Sequence, residues 1–385
     1  MQNRRPRSRL FPPFSILHSS FCILSEVVTD SRYNPLLHRV ALLLAAATFP
    51  LIFVGGLVTS HGAGLAVPDW PNSFGYNMFL FPPSQWVGNI WYEHVHRLYA
   101  SGIGLLSIVL CVLAWRTDRR RGTRWLAVAV LAAVIFQGVL GGLRVIWIDL
   151  DLAVVHGCFA QAFFCLTALM AVVTSRWWTE APDLSAEADA DRGRRVVRWA
   201  GVAVVVIFGQ LVVGAIMRHY RAGLAIPDFP LNYGKVLPPA SWAALDSVQP
   251  PVWEGDKRAS FTLAQVWLQF GHRLGAIVVS VAILNLLVRV TRLRAGRSML
   301  TRPAWLLLGL LLTQLTLGAL TVLLRKPADI ASAHVAVGAL TLMTTFVLAV
   351  RAVRLYRPRR VAARVTGARA LEALPADSGA AAVAV

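Results

Sequence analysis

Four histidines are the residues of this sequence best placed to bind a metal. His96 and His272 are each followed by an arginine, and His156 and His334 each follow an aspartate by five residues. All four lie about one turn inside an apolar segment, so the rise of about 1.5 Å per residue in a helix puts them at one depth. Two facing imidazoles inside a helical bundle are typical of a bis-histidine haem. Hydrogen-bonded packing, zinc with further ligands and copper are the alternatives.

The residue three positions before the histidine of each His-Arg pair differs. Glu93 lies three residues before His96, on the same helical face, whereas Gln269 has that position before His272. A titratable group beside only one site predicts proton-coupled chemistry there, with Glu93 as acid or base, and electron transfer at the other. Glu-x-x-His also occurs in di-iron bundles, but those need a second such motif.

Arg97 and Arg273 directly follow two of the histidines. At the end of a membrane helix a guanidinium has two interpretations. It can bind haem propionates through bidentate hydrogen bonds, or it can extend to the lipid headgroups.

The composition indicates a polytopic membrane protein in a lipid bilayer. Of 385 residues, 56% are hydrophobic and 15% charged, and the mean hydropathy is +0.58. The net charge of +19 would suggest nucleic acid in a soluble protein. Here the arginines lie between apolar segments, which excludes that class and favours a role in membrane topology.

Eight apolar segments are long enough to cross a bilayer. Loops on one side, with both termini, contain 28 of the 38 Lys and Arg residues, which predicts cytoplasmic N and C termini in a plasma or inner membrane. The predicted spans are 40–60, 92–115, 125–143, 152–174, 196–217, 261–288, 304–324 and 330–350.

The second half of the chain repeats the first. AGLAVPDWP (63–71) returns as AGLAIPDFP (222–230), and QGVLGGLRV (137–145) as QLTLGALTV (314–322). The fold class is therefore all-α, with two four-helix bundles related by a pseudo-two-fold axis along the membrane normal. The Gln-x-x-x-Gly patterns favour close helix packing.

The predicted organisation has five parts, and the cysteines add no covalent framework. Cys22, Cys111, Cys158 and Cys165 show neither disulfide nor metal-ligand spacing. The parts are a disordered N-terminal arm (1–38), a first bundle (39–175), a cytoplasmic linker (176–195), a second bundle (196–355) and a disordered tail (356–385).

With its duplicated bundle, Glu-x-x-His-Arg motif, second His-Arg and two further histidines, the chain resembles the haem A synthase family over residues 40–355. The resemblance implies a membrane oxidoreductase that converts the methyl group of haem O to the formyl group of haem A, with oxygen from water, for aa3-type oxidases. It implies a haem b cofactor at His272 and His334, with Arg273 nearby. The substrate haem would lie at His96 and His156, beside Arg97.

Glu93 matches the functional glutamate of that family, as a base or as a stabiliser of a cationic intermediate. Some relatives have a cysteine pair in the first outer loop, but 61–92 and 218–260 contain no cysteine. A thiol route for electrons is therefore in doubt, and the electron acceptor is not identified. Haem O synthase and oxidase assembly factors are possible partners.

Two other functions fit parts of the pattern. A dihaem electron carrier linked to quinone explains four histidines but makes the Glu93 and Gln269 difference incidental. A transporter with parallel repeats would use His and Glu to relay protons, yet the ionisable residues cluster at one end of the helices.

Overall fold

A computed structural model describes residues 33–248, 261–294 and 297–357, and within them eight long helices are apolar enough to cross a membrane. This part of the chain contains two isolated β-bridges and no strand, so the predicted all-α membrane fold is confirmed. The helices are α1 (Pro35–Ser60), α2 (Gly88–Thr117), α3 (Arg121–Trp147), α4 (Leu150–Thr174), α5 (Ala190–His219), α6 (Leu263–Thr291), α7 (Arg297–Leu323) and α8 (Ala328–Tyr356).

Most helices are longer than the predicted spans because hydropathy marks the apolar part and misses polar ends. α2 begins at Gly88, α5 at Ala190, and α8 ends at Tyr356. The predicted linker contains a short helix, Arg176–Glu180, and is shortened by the early start of α5. Most of the predicted N-terminal arm, including Cys22, and all but the first two residues of the tail lie outside the described residues.

Local capping explains where several helices begin. The Asn34 side chain accepts hydrogen bonds from the first-turn amides of α1, and Asp149 does the same for α4. Thr262 and Gln265 form a reciprocal capping box at the start of α6. The caps of α4 and α6 fix helix starts at the end that carries His156 and His272, whereas the Asn34 cap lies at the opposite end, where its side chain donates to Thr117.

Each half of the chain is a ring of four helices. In the first half α1 contacts α2 and α4, and α3 contacts the same two helices. In the second half α5 contacts α6 and α8, and α7 contacts those two. The halves meet where α1 packs on α8, α4 on α8 and α4 on α5. The pseudo-two-fold axis itself stays a prediction.

Each ring has its own apolar core. Leu44, Ile103 and Leu110 lie in the first, and Ile207, Ile283 and Leu286 in the second. A smaller cluster between the halves contains Ile52, Phe164 and Ala339. α4 and α8 are the most buried helices, and they carry His156 and His334.

Two long loops lie at the end of the helices that carries the histidines, which we call the histidine end. The first loop is 61–87; the second connects α5 to α6, and its residues 220–248 and 261–262 are described. Asp69 accepts hydrogen bonds from the amides of Phe74 (2.7 Å) and Gly75 (2.8 Å). Asp228 makes the same two bonds, with Tyr233 (2.7 Å) and Gly234 (2.8 Å). The two loops therefore contain the same turn with the same pair of hydrogen bonds.

Candidate functional site

The second histidine pair has the separation expected of two ligands on one metal. The ring centres of His272 and His334 lie 6.4 Å apart, with their planes inclined by 71°. With a metal–imidazole bond of about 2.0–2.1 Å, the value for zinc, each ring centre would lie roughly 3 Å from a metal, so ligands on its two sides would have ring centres about 6 Å apart. This pair therefore fits a shared iron.

All four histidines pack against a glycine of a neighbouring helix. A Cβ atom on that glycine would lie 3.0–3.1 Å from the imidazole, closer than ordinary packing allows. The glycines therefore set how deeply each ring enters its bundle. The pairs are His96 on Gly55, His156 on Gly141, His272 on Gly214 and His334 on Gly318.

Glutamines that the sequence suggested for helix packing contact the histidines instead. Gln137 Nε2 lies 3.4 Å from His156 Nε2 and donates to the His156 carbonyl at 3.0 Å. Gln314 Nε2 lies 3.5 Å from His334 Nε2. In both histidines the buried Nδ1 atom has no hydrogen-bond partner in the structure. A buried ring nitrogen without a partner is costly unless it meets a ligand, so both rings fit metal ligation. His94 Nε2 is also without a partner, but that ring lies between Phe81 and Trp86.

His272 has an additional neighbour that the first half lacks. Gln210 Nε2 lies 3.1 Å from His272 Nδ1 and donates to the His272 carbonyl at 2.8 Å. Gly275 leaves room for this side chain, since a Cβ there would overlap Gln210 Oε1. The corresponding residues of the first half are Leu51 and Tyr99. The second site is therefore the more polar at this position.

Glu93 is buried and tied to the first loop. Its Oε2 accepts the amide of Val67 at 2.9 Å, and its Oε1 accepts from Arg97 at 2.8 Å. Its counterpart Gln269 accepts the amide of Ile226 at 2.5 Å. The two side chains therefore make the same contact with equivalent loop residues and differ in charge.

The arginines beside the histidines bind loop carbonyl groups. Arg97 donates to the carbonyls of Val67, Asp69 and Asn72 at 2.7–3.1 Å as well as to Glu93. Arg273 donates to the equivalent carbonyls of Ile226, Asp228 and Leu231 and to Asn232 Oδ1. Both Nη atoms of each guanidinium are thus engaged in loop contacts, which neither sequence interpretation anticipated.

Sequence reasoning missed Arg144 near the end of α3. Its guanidinium lies within electrostatic range of both first-half histidines, of Glu93 and of Arg97. Its Nη2 donates to the carbonyl of Gly64 at 3.0 Å. The signal was present in the repeat, where Arg144 replaces the Thr321 of QLTLGALTV.

The remaining histidines have other surroundings. His94 is buried between Trp86 and Phe81, at ring distances of 4.6 Å and 5.0 Å. His61 stacks on Tyr92 at 4.1 Å. His219 lies at the end of α5, within electrostatic range of Arg144. His94 and His61 therefore belong to the packing of the first loop.

Arg218 joins the two halves at the histidine end. It donates to the carbonyl of Gly56 at 2.5 Å and to Ser60 Oγ at 2.7 Å, both in α1, and to the Ala331 carbonyl of α8 at 3.3 Å. This contact could not be predicted from the sequence, because it depends on which helices of the two bundles meet.

Within the described ranges, no three or more His, Cys, Asp or Glu side chains are grouped so that they could hold a metal ion. A di-iron carboxylate centre would need such a group. Cys111, Cys158 and Cys165 are free thiols in the helices.

Comparison with known proteins gives one consistent family. Residues 38–347 match the family COX15-CtaA, described as cytochrome oxidase assembly protein. The chain is 30% identical to a heme A synthase of Shouchella clausii over 271 residues, covering 68% of this chain and 78% of the relative. It is 28% identical to a heme A synthase of Geobacillus kaustophilus (75% and 84% covered) and 27% to one of Shewanella oneidensis (77% and 91%).

Proposed function

The chain belongs to the cytochrome oxidase assembly protein family, and from this membership and its two histidine sites we propose how it acts as a haem A synthase. It is a multi-pass membrane oxidoreductase that converts haem O to haem A. The first half binds the substrate haem and the second half holds a haem b. The dihaem carrier and the transporter are not favoured by the relatives it matches.

His272 and His334 hold the haem b of the second half. The 6.4 Å ring separation, the unpartnered His334 Nδ1 and the glycine under each ring support this assignment. Haem b supplies one-electron transfer when it is bound. Gln210 and Gln314 orient the two imidazoles, and the apolar bundle excludes water around them.

His96 and His156 position the substrate in the first half. Converting a methyl to a formyl group with water releases four protons and four electrons for each haem. The electrons pass to a membrane acceptor of unidentified class. The bundle keeps the reacting methyl in an apolar space, so a protein group near the histidine end must accept protons.

Glu93 is our candidate for that group, and one observation carries the assignment. Gln269 makes the same loop contact as Glu93 without a charge, so holding the loop does not require a carboxylate. The charge of Glu93, which is paired with Arg97, therefore has a task other than holding the loop, and we assign it to the chemistry of the first half. A carboxylate oxygen can take a proton released in the reaction while Arg97 orients the group.

The orientation follows from charge. With the basic loops in the cytoplasm, the four histidines and both long loops lie towards the outer face of a plasma or inner membrane. In this arrangement a haem O synthase and oxidase assembly factors meet the protein in or beside the bilayer.

Pigment analysis tests the function. The full chain is expressed in cells that make haem O but no haem A, and the membrane haems are separated by reversed-phase chromatography. We expect haem A to appear with the intact chain. Haem O alone, with the wild-type protein correctly inserted, would contradict the proposal and favour the dihaem carrier.

A further inference from the structure

We propose that Arg144 binds a carboxylate group of the substrate, a haem propionate, and so allows the first half to recognise its substrate. This inference rests on the proposed function, since it assigns the ligand of the same site. It gives the task of binding the anion to a residue outside the His-Arg motifs.

Arg144 lies near the end of α3, beside the first histidine pair. It lies three residues after Gly141, the glycine that supports His156, and therefore on the same face of α3 one turn nearer the histidine end. Its guanidinium is also within electrostatic range of His96. Arg144 thus lies where the edge of a porphyrin held by these histidines reaches the end of the bundle.

Arg144 makes few polar contacts with the described residues. Its only hydrogen bond to the described residues runs from Nη2 to the carbonyl of Gly64, and it forms no ion pair with them. Arg97 and Arg273, by contrast, use both Nη atoms on loop carbonyls. Of these three cations, Arg144 therefore has the donors left to bind an added anion.

The second half has a threonine, Thr321, at the position that corresponds to Arg144. A Cβ on Gly64 would overlap the Arg144 guanidinium, so this glycine lets the cation approach the loop. At the equivalent Gly223 nothing lies within 4 Å of the same point, and Thr321 replaces the arginine. The loop and helix are repeated, but the cation belongs to the first half alone.

The free energy of burying the Arg144 guanidinium favours binding of an anion. A guanidinium held in an apolar bundle without a contact ion pair is costly, by several kcal/mol in general. Glu93, the carboxylate within electrostatic range of Arg144, is itself paired with Arg97. A carboxylate offers two oxygens to the planar fork of arginine, and such charge-assisted pairs are among the strongest hydrogen bonds in proteins. The propionates are the anionic groups of haem O, so they are the part of the substrate that Arg144 can select.

Binding of haem O and its uncharged dimethyl ester tests the assignment. Both are titrated into the full-length protein in detergent and followed by Soret absorbance, and loss of the signal in His96→Ala assigns it to the first half. We expect wild type to bind haem O about ten- to hundredfold more tightly than the ester, the range for hydrogen bonds to charged groups. Arg144→Thr, which installs the second-half residue, should abolish that preference by weakening haem O binding alone.

Control variants make the result specific. Lys235→Thr removes an exposed positive charge from the second loop and should keep the wild-type preference. Arg144→Lys keeps the charge but not the fork and should lower the preference partly. If Arg144→Thr loses the b-type absorbance and hence its fold, Arg144→Lys decides the question.

The proposal is overturned if the wild type binds haem O and its ester equally, or if Arg144→Thr keeps the wild-type preference. Where Arg144→Thr does not fold, the wild-type preference in Arg144→Lys overturns it. Equal weakening of both ligands in Arg144→Thr would also overturn it, since it would show a purely structural role. Failure of the enzyme assignment looks different. In that case wild type makes no haem A, whatever its preference for the free acid.

Discussion

The two halves of the molecule share their framework and differ in their charges. Both place a histidine on a glycine of the neighbouring helix, and both bind the following loop through an arginine. Glu93 and Arg144 in the first half correspond to Gln269 and Thr321 in the second. In the function that we propose, the shared framework holds a porphyrin in each half, and the substitutions at these two positions distinguish the half that reacts from the half that transfers electrons.

A second difference lies beside the first histidine of each pair. Gln210 contacts His272, and Gly275 leaves the space that this side chain fills. The first half has Leu51 and Tyr99 at these positions, and the Tyr99 hydroxyl donates to the Ala47 carbonyl at 2.9 Å. A polar contact that fixes the imidazole suits a permanently bound haem, whereas a site that exchanges substrate has no need of it.

Replacing the histidines gives the largest expected effect. His272→Ala should abolish the b-type absorbance of the purified protein, because one of the two proposed haem ligands is lost. His96→Ala should keep that absorbance and lose haem A formation. His94→Phe, which installs the second-half residue at a packing position, is the matched control and should keep both. Loss of the b-type spectrum in His96→Ala but not in His272→Ala would reverse the assignment of the halves.

Exchanging Glu93 and Gln269 tests the charge difference. Glu93→Gln should lower haem A formation by about a hundredfold or more, the usual range for a lost acid–base group, and leave the b-type spectrum intact. The loop should remain bound, because glutamine makes that contact in the second half. The measurement is haem A formed per unit of haem b.

Gln269→Glu is the reciprocal variant, and haem A formation near the wild-type rate is expected from it. A Glu93→Gln variant with full activity would remove the carboxylate from the account.

Filling the space under a histidine should have a moderate effect. A Cβ at Gly141 or Gly318 would lie 3.0 Å from the imidazole and displace it slightly. Such overpacking generally costs about 1–3 kcal/mol. Gly318→Ala should lower haem b occupancy, whereas Gly141→Ala should lower haem A formation and leave haem b in place.

Gly138→Ala provides the matched control on α3. Nothing lies within 4 Å of a Cβ at this position, so the variant should behave as wild type. Equal effects of Gly138→Ala and Gly141→Ala on haem A formation would show that the ring contact is unimportant.

The smallest effect concerns the loop turns. Burial favours a higher pKa for Asp69, but the amides of Gly75 and Phe74, its own amide and the Arg97 charge together lower the pKa below its ordinary value. A lowered folded-state pKa stabilises the turn above the unfolded value of about 3.9, and the benefit is lost as the pH falls through the folded value. The protection factors of the Phe74 and Gly75 amides, measured against the intrinsic exchange rate at each pH, should therefore be high at neutral pH and fall in acid.

Asp69→Asn and Asp228→Asn should each speed exchange in their own turn by a few-fold at neutral pH, because a hydrogen bond to a charged acceptor is replaced by a neutral one. The two turns have the same bonds, so the two effects should be similar. A large effect of only one substitution would show that the loops differ more than their geometry indicates.

The sequence predicted the eight helices because apolar length and the repeat are strong signals. It also selected four histidines from their equal spacing within duplicated segments; each packs on a glycine of a neighbouring helix, and their role as ligands stays a prediction. It did not predict that Arg97 would bind loop carbonyls, since the chain path of 61–87 depends on long-range contacts with Glu93 and Arg144. The spacing of Gln137 and Gln314 predicts helix packing but not their contacts with His156 and His334, because the partner of a side chain on a neighbouring helix cannot be derived from spacing alone.

The central claim is that two similar sites hold two different porphyrins. The most direct test is reversed-phase separation of the haems bound to the purified full-length protein from cells that make haem O. We expect about one haem B per chain together with haem O or haem A. Haem B alone, in two equivalents per chain, would contradict this account.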